Sequence, residues 1–393
     1  MTQPTRSIEC EFLAGLRQIL GPATGTIALH EPEFSGNEWK MVKDTLDSTF
    51  VSSVGKYVDE FEDRLAAFTG AKHAIVVANG TVALQIALTL AGVRAGDEVI
   101  VPALSFVATA NAVVHAGGVP HFVDSDPISL GIDSQSLAEH LMHSAEMTSA
   151  GLRNKRTGRR IAAIVPMHTF GHPVDLDPLL DLAERLKLPI VEDAAEALGS
   201  RYKGRHAGTF GLVGTLSFNG NKIITTGGGG AILTNDTDIA RRAKHLTTTA
   251  KRRHQWEFFH DEVAWNFRMP NINAALGCAQ MERLPALLDN KRRLAARYRE
   301  VFSKIAGVEF VSEPPNSESN YWLMTIKLFK PEIAIRDTIL KAANEAGYQC
   351  RPVWTLLHRL PMYDTAPHAS LKISEKLEAA LINVPSSPKL GAF

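Results

Sequence analysis

The sequence has little cysteine, no excess of either charge and no long apolar run. Only three cysteines occur in 393 residues, Cys10, Cys278 and Cys350, and they form no CxxC pair. This pattern favours reduced, packed thiols in a cytoplasmic protein over a disulfide framework. Lysine plus arginine and aspartate plus glutamate both number 42, so the formal net charge is zero. The charge balance therefore gives no support to a nucleic-acid or anionic-membrane partner.

Hydrophobic segments long enough to cross a membrane are also missing from the sequence. No apolar stretch approaches the ~20 residues that a spanning helix needs, and the polar N-terminus lacks the basic-then-apolar order of a signal peptide. A composition of 45% hydrophobic and 21% charged residues is that of an ordinary globular protein. The length predicts about two domains, because single cores stop growing beyond ~250–300 residues.

Short apolar segments bounded by glycine, proline and aspartate alternate with helical segments over residues 73–193. This alternation predicts a mostly parallel sheet covered by helices on both faces. An amphipathic helix is predicted over 8–20, packed on the body of the protein or on a partner subunit. After about residue 265 a long helix is predicted over about 271–305. We therefore predict an N-terminal helix and arm over 1–35, a large domain over 36–265 and a small C-terminal α/β domain over 266–393.

The most informative segment is Thr215–Gly230, in which Lys222 precedes two threonines and four consecutive glycines. Glycine runs leave backbone N–H groups open and let other atoms approach closely. A lysine held in such a place can form a Schiff base with a carbonyl compound. A surface lysine before a flexible turn has the same local sequence, so this segment alone leaves both interpretations open.

Three further features fall at the ends of predicted strands. Asn79-Gly80-Thr81 opens a helix, where N–H groups and a hydroxyl make an anion site. Asp193 ends a buried strand, where it would face a ligand crevice or cap a helix. Phe106 follows another strand and would stack on a flat cofactor or join the core. Together with Lys222 these residues suit pyridoxal 5′-phosphate: the lysine would hold the aldehyde, and the aspartate would keep the ring nitrogen protonated.

The chain resembles the sugar-nucleotide aminotransferases of the DegT/DnrJ/EryC1/StrS family, which have the type I (aspartate aminotransferase) fold of pyridoxal phosphate-dependent transferases. The resemblance covers about residues 27–390. It rests on four segments taken together: Asn79–Leu84, Val191–Ala197, Ser217–Lys222 and Trp265–Gly277. That fold implies a large domain with a mostly parallel, mixed sheet and a small C-terminal α/β domain.

The resemblance also implies roles for individual residues. Lys222 would be the Schiff-base lysine and proton shuttle, Asp193 would pair with the pyridinium nitrogen, and Phe106 would stack on the ring. The cofactor phosphate would be held by Gly80, Thr81 and Ser217. Asn266 would reach the phosphate of the neighbouring subunit, which implies a homodimer with shared active sites. L-Glutamate is the amino donor that the family implies.

Two positions depart from many relatives. Position 196 is glutamate, where many relatives carry glutamine or histidine near the ring hydroxyl; a carboxylate there would repel a phenolate-like oxygen unless one of them is protonated. Gly227–Gly230 stands where many relatives have Thr-Gly-Glu-Gly-Gly. Both departures resemble the aminotransferases of legionaminic acid and bacillosamine-type pathways, as do Leu29–Pro32, Ser48–Lys56 and Pro166–Pro173.

That branch implies a UDP-linked 2-acetamido-4-keto-2,6-dideoxyhexose that is aminated at C-4. A GDP-linked 2-hydroxy sugar, as used for perosamine, is the alternative substrate. The diphosphate needs local cations, for which Lys251-Arg252-Arg253 is a candidate, although a solvated helix end has the same sequence character. The candidate substrate contacts are Ser53, Lys56, His168, Arg351 and His358.

The sequence disfavours two other functions and a metal site. Relatives that act as sugar dehydratases replace the lysine with histidine, so Lys222 argues against that reaction. A non-catalytic, cofactor-binding regulator is disfavoured by the presence of both Lys222 and Asp193. His168 and His172 are four residues apart, but Gly171 and Pro173 would break the helix that such a metal-binding pair needs. No metal site is therefore predicted, and His168 is expected to line the substrate pocket or to satisfy a loop.

Overall fold

A computed structural model describes residues 7–392 of the chain. Its helices are α1 (Ile8–Leu20), α2 (Glu38–Asp47), α3 (Lys56–Thr69), α4 (Gly80–Leu90), α5 (Val107–His115), α6 (Ser134–Ser144), α7 (Leu176–Leu186), α8 (Thr237–Thr247), α9 (Asn271–Phe302), α10 (Ile333–Glu345) and α11 (Lys372–Ala380). Its strands are β1 (His73–Val77), β2 (Glu98–Pro102), β3 (Val119–Val123), β4 (Ala145–Thr148), β5 (Gly151–Asn154), β6 (Ile161–Ile164), β7 (Val191–Asp193), β8 (Arg201–Tyr202), β9 (Arg205–His206), β10 (Val213–Ser217), β11 (Gly230–Thr234), β12 (Val308–Phe310), β13 (Ser317–Glu318), β14 (Met324–Leu328), β15 (Arg351–Pro352) and β16 (Leu381–Val384).

The main sheet is mixed and buried on both faces. Four of its strands run in the order β1-β11-β10-β7 and three in the order β3-β2-β6, and parallel bridges from Ile164 to Ile190 and from Met167 to Asp193 join the two groups. The β7–β10, β2–β3 and β2–β6 pairs are parallel, whereas β11 is antiparallel to β1 and β10. The predicted mostly parallel sheet is confirmed, with β11 as its antiparallel member.

This topology gathers the segments that carry the sequence motifs. Parallel strands end at the same edge of a sheet, and ligands bind in the crevice outside that edge. β1 leads into Asn79 and α4, β2 leads toward Phe106, β7 ends at Asp193 and β10 ends at Ser217. One edge of the sheet therefore presents all four segments.

A second, antiparallel sheet in the C-terminal part has the order β12-β14-β16-β15. Helix α1 packs beside it, since Phe12 and Leu16 share a buried cluster with Tyr298 and Phe302. The predicted bounds of this helix are confirmed, and it packs on the body of its own chain. Among residues 7–392, no helix is both long enough and apolar enough to cross a membrane.

Some sequence-based expectations need correction. Cys10 is exposed, whereas Cys278 and Cys350 are buried, so only two of the three thiols are packed. The sequence near Tyr321–Leu328 predicts a strand, but that strand begins at Met324, because Tyr321 adopts a left-handed backbone with φ of 50°. The long helix ends at Phe302 rather than at about 305. In its first turn, Asn271 accepts the Tyr57 N–H and donates to the Phe50 carbonyl.

Candidate active site

A cavity of about 630 Å³ opens at the carboxyl edge of the main sheet, between that sheet and the segment after β15. A larger groove of about 1060 Å³ along α8 is open to solvent; it is lined by the candidate cations Lys251, Arg252 and Arg253 but by none of the predicted cofactor-binding residues. The cavity brings together eight of the residues that the sequence singled out: Gly80, Thr81, Phe106, Asp193, Glu196, Ser217, Lys222 and Arg351.

Lys222 lies in the loop between β10 and β11, with its side chain in the cavity wall. Its Nζ is 3.2 Å from Glu196 Oε1 and 3.7 Å from the centroid of the Trp322 ring. The Trp322 indole N–H donates to the Asn221 carbonyl at 2.7 Å, which fixes that ring beside the lysine loop. Sequence reasoning missed Trp322, because a tryptophan near the start of a predicted strand carries no signal of its own. The mostly buried lysine is not the surface lysine that the local sequence also permitted.

Glu196 is held beside Lys222 by the loop that precedes α7. The Phe170 N–H donates to Glu196 Oε2 at 2.9 Å, and the Asn320 side-chain amide donates to the Glu196 carbonyl at 2.8 Å. Burial raises the pKa of the Glu196 carboxyl to about 7, although the positive charge of Lys222 opposes the rise. The carboxyl is thus able to exchange a proton near neutral pH.

Asp193 occupies the end of β7 and is almost wholly buried. The Thr109 hydroxyl donates to Asp193 Oδ2 at 2.7 Å, and the Ala195 N–H donates to Oδ1 at 3.2 Å. A carboxylate has about four acceptor positions, so these two bonds leave room for an N–H donor from the cavity. Asp193 faces the ligand crevice and is not a helix cap.

The opposite end of the cavity, at the N-terminus of α4, can bind an anion. Helix α4 begins at Gly80, and Asn79 caps it by accepting the Val82 N–H at 3.0 Å. A Cβ on Gly80 would lie 2.9 Å from Ser217 Cβ, and one on Gly230 would lie 2.6 Å from the Asn79 carbonyl. These glycines let the ends of β10 and β11 approach the first turn of α4, whose free N–H groups attract anions.

These residues fit pyridoxal 5′-phosphate. The phosphate matches the α4 terminus with the hydroxyls of Thr81 and Ser217, the pyridinium N–H matches Asp193, and the aldehyde matches Lys222. When bound, the cofactor supplies a reactive aldehyde and an electron-withdrawing ring. Phe106 lines the cavity with 49% of its surface exposed and its ring centroid 6.2 Å from that of Trp354, so it is a wall residue and not a core aromatic.

Two predicted substrate contacts do not line this cavity. His168 is fully buried behind β7, where its Nε2 lies 3.1 Å from Glu192 Oε2 and its Nδ1 accepts the Val174 N–H at 3.2 Å. It satisfies its loop instead of lining the pocket. His358 lies in the turn Leu357–Arg359, outside the cavity, with its ring 5.5 Å from that of His368.

Three more predicted residues lie outside the cavity of their own chain. Lys56 is exposed and pairs with Asp44 at 2.8 Å, and Ser53 belongs to the same loop before α3. Asn266 is exposed and forms a bridge with Thr248. A role for these residues at an active site requires a second subunit and stays a prediction.

Comparison with known proteins agrees with this geometry. The sequence profile of the DegT/DnrJ/EryC1/StrS aminotransferase family matches residues 32–392. GDP-perosamine synthase from Caulobacter vibrioides is 36% identical over 363 residues, which are 92% of this chain and 93% of the relative. GDP-perosamine synthase from Escherichia coli O157:H7 is 36% identical over 93% of this chain and 94% of the relative.

Solved structures have the same fold. The aminotransferase TlmJ from Streptoalloteichus hindustanus superposes with a TM-score of 0.82 and 28% identity, covering 92% of this chain and 94% of TlmJ. The profile match over residues 32–392 includes both the main sheet and the C-terminal sheet. This chain therefore belongs to the DegT/DnrJ/EryC1/StrS aminotransferase family and is a pyridoxal phosphate-dependent sugar-nucleotide aminotransferase.

Proposed function

We propose that the protein transfers an amino group from L-glutamate to C-4 of a 4-keto-6-deoxy sugar linked to a nucleoside diphosphate. The observation that carries this proposal is the meeting of Lys222, Asp193 and the α4 terminus in one cavity. An amine, a buried carboxylate and an anion site in this arrangement serve the aldehyde, ring nitrogen and phosphate of one cofactor.

The chain's own residues then have distinct tasks. Lys222 would hold the cofactor aldehyde and, once released, its amine would accept and return the proton of the donor's α-carbon. Asp193 keeps the ring nitrogen protonated, and Thr109 keeps Asp193 in place. Gly80, Thr81 and Ser217 hold the phosphate, while Phe106 covers one face of the ring. Donor and acceptor use the same cavity in turn, which gives ping-pong kinetics.

The relatives favour a GDP-linked 2-hydroxy sugar as the acceptor. The two enzymes named GDP-perosamine synthase are each 36% identical to this chain over more than nine tenths of its length, which supports the substrate that the sequence motifs had placed second. The UDP-linked 2-acetamido sugar remains the second candidate, because Leu29–Pro32 and Ser48–Lys56 resemble the branch that uses it.

A homodimer with shared sites completes the proposal. Within residues 7–392, the cations that line the cavity are Lys222 and Arg351, and a diphosphate adds about two negative charges to those of the cofactor. Arg351, Lys56 and the segment Lys251–Arg253 are the candidates to meet those charges, the last two from the partner subunit, as Asn266 would meet the cofactor phosphate. We also propose that the protein is cytoplasmic.

Transfer of isotope tests the proposal. The protein is incubated with ¹⁵N-labelled L-glutamate and either the GDP-linked or the UDP-linked keto sugar, and mass spectrometry follows the label. We expect ¹⁵N in the GDP-linked amino sugar and 2-oxoglutarate in equal amount, with the Lys222→Ala protein as the blank. Label in the UDP-linked product alone would make the UDP-linked sugar, and not the GDP-linked sugar, the acceptor. Label in neither sugar would overturn the proposed reaction.

A further inference from the structure

The carboxyl group of Glu196 is the acidic partner of the Lys222 amine. Its side chain is 2% exposed, and its Oε1 lies 3.2 Å from Nζ. The Trp322 ring occupies one side of the amine at 3.7 Å. The lysine therefore has a carboxyl group and an aromatic face as neighbours, and the remaining side opens to the cavity.

The carboxyl group is prevented from turning away. Its second oxygen accepts the Phe170 N–H at 2.9 Å, and Phe170 has the left-handed φ of 57° that aims this N–H at the carboxyl. The next residue must be glycine, because a Cβ on Gly171 would lie 1.8 Å from Asn320 Oδ1. Asn320 in turn donates to the Glu196 carbonyl. Backbone strain of this kind persists where the surroundings demand it, often at functional sites.

The surroundings of the pair raise the pKa of the Glu196 carboxyl into the neutral range. Burial raises the pKa of Glu196, Lys222 and the Phe170 N–H lower it, and Asp193 raises it, with a result of about 7. His30 is the nearby imidazole, and burial, followed by the charges of Lys291 and Lys222, lowers its pKa well below the usual value. His30 is thus neutral at neutral pH and adds no charge to the pair.

We propose that Glu196 is the proton acceptor and donor for Lys222. The lysine must lose one proton before its nitrogen can attack a carbonyl carbon, and Glu196 Oε1 takes that proton. The two remaining hydrogens leave with the carbonyl oxygen as water when the C=N bond forms. The proton returns when an amino donor releases the lysine. This inference rests on the proposed function in one respect, namely that Lys222 reacts with a carbonyl group.

If Glu196 were only a fixed counter-ion for Lys222, the same distances would be seen, but its carboxyl would stay ionised. A glutamine at position 196 has the same shape as glutamate and can still accept the Phe170 N–H, but it can neither take nor return a proton. The substitution Glu196→Gln therefore separates proton exchange from packing. The exposed Glu300, which pairs with Lys304 at 3.1 Å, provides a matched Glu300→Gln control far from the cavity lining.

The first measurement follows the carboxyl group directly. Infrared spectra of the full chain freed of cofactor, with ¹³C-labelled glutamate, are recorded across pH. We expect a neutral carboxylic acid that titrates at a pH of about 7 and that is lost in Glu196→Gln but kept in Glu300→Gln. In Lys222→Met the midpoint should move upward, because the cation that lowers it is gone. Titration of Glu196 in the ordinary range of glutamate would overturn the proposal, and Lys222→Met tests this even if Glu196→Gln fails to fold.

The second measurement follows the lysine. Pyridoxal phosphate is added back to the cofactor-free chain, and the rate at which its visible band appears is recorded against pH. We expect the wild-type rate to rise as the pH passes through about 7, where Glu196 loses its proton. The Glu196→Gln protein should lack this step and react on the order of 10²-fold more slowly above it. An unchanged pH profile in Glu196→Gln would contradict the proposal.

The two proposals fail in different ways. If Glu196 titrates near neutrality but L-glutamate leaves the visible band of the loaded wild-type protein unchanged, the proton pair stands and the proposed function falls. If L-glutamate discharges the band while Glu196 stays ionised throughout, the proposed function stands and the proton pair falls.

Discussion

The floor of the cavity and the surface segments beside it differ in how many of their side chains have partners within the same chain. On the floor, Asp193, Glu196 and Lys222 each have a defined neighbour within the chain. The surface segments, the loop 48–56 and the hairpin 249–262, expose large apolar side chains instead. Trp256 is 71% exposed and Phe258 79% exposed. One chain completes the floor, whereas the surface segments carry large apolar side chains that their own chain leaves exposed.

This difference separates residues that can act within a single folded chain from residues whose predicted role needs a second chain. Exposed apolar groups rimmed by charges mark interaction surfaces. The residues predicted to reach a neighbouring site, Asn266, Ser53 and Lys56, lie in or beside these surface segments and outside the cavity. Substitutions on the floor should therefore affect chemistry within each chain, and substitutions at the surface should show their effect between chains.

The largest effect is expected at Lys222. Lys222→Ala should abolish turnover, because the reacting amine is lost. The chain should still fold, because Glu196 can take up a proton once the cation that lowers its pKa is gone. Lys222→Arg should be equally inactive, since a guanidinium neither forms the imine nor gives up a proton at neutral pH. Steady-state assays together with circular dichroism check both variants. Substantial turnover by Lys222→Ala would refute its assignment.

The second largest loss of activity is expected for Asp193→Asn. The amide can still accept the Thr109 hydroxyl, so the cavity should keep its shape, but it cannot hold a proton on the ring nitrogen. We expect kcat to fall on the order of 10²-fold or more, as for other preorganised charge partners. Thr109→Val provides a companion variant, because loss of the supporting hydrogen bond should cost less. Near wild-type kinetics in Asp193→Asn would place the ring nitrogen elsewhere.

The surface segments are tested by mixing chains. If Asn266 reaches the partner's site, Asn266→Ala and Lys222→Ala chains, each poor alone, form mixed dimers in which one site is intact. Random mixing after refolding should restore about a quarter of the wild-type rate. Sedimentation supplies the control for assembly. A fully active monomer, or no recovery in verified mixed dimers, would show that each chain carries its whole site.

The smallest effect is expected at Lys56. Its exposed pair with Asp44 contributes little to folding, so Lys56→Ala should leave thermal stability unchanged. If the side chain meets the sugar or its phosphates, KM for the nucleotide sugar should rise roughly tenfold with kcat unchanged. Lys43→Ala is the matched control, since Lys43 forms a comparable exposed pair with Asp47. Equal KM values in the two variants would remove Lys56 from the substrate site.

The sequence predicted which residues meet on the floor of the cavity, because each motif there follows a strand that the apolar pattern reveals. Parallel strands bring their ends to one edge, so Gly80, Phe106, Asp193 and Ser217 met as expected. The helix over 8–20 was equally predictable from its apolar spacing.

Long-range contacts were beyond the sequence pattern. Trp322 reaches Lys222 from 100 residues farther along the chain, and no local periodicity reveals such a contact. His168 and His358 were placed in the pocket on sequence context alone, but hydrogen bonds to Glu192 and Val174 hold His168 behind the sheet. Tertiary partners decide the direction of such side chains.

The half-reaction tests the central claim, that Lys222 and the cavity around it carry an amino group from L-glutamate to a keto sugar. The enzyme loaded with pyridoxal phosphate is treated with L-glutamate, freed of the excess donor and then given each candidate keto sugar, while the visible band is followed. The account predicts that L-glutamate removes the band and that the GDP-linked 4-keto-6-deoxy sugar restores it. Restoration by the UDP-linked acetamido sugar alone would correct the substrate, whereas a band that L-glutamate never removes, or that neither sugar restores, would contradict the central claim.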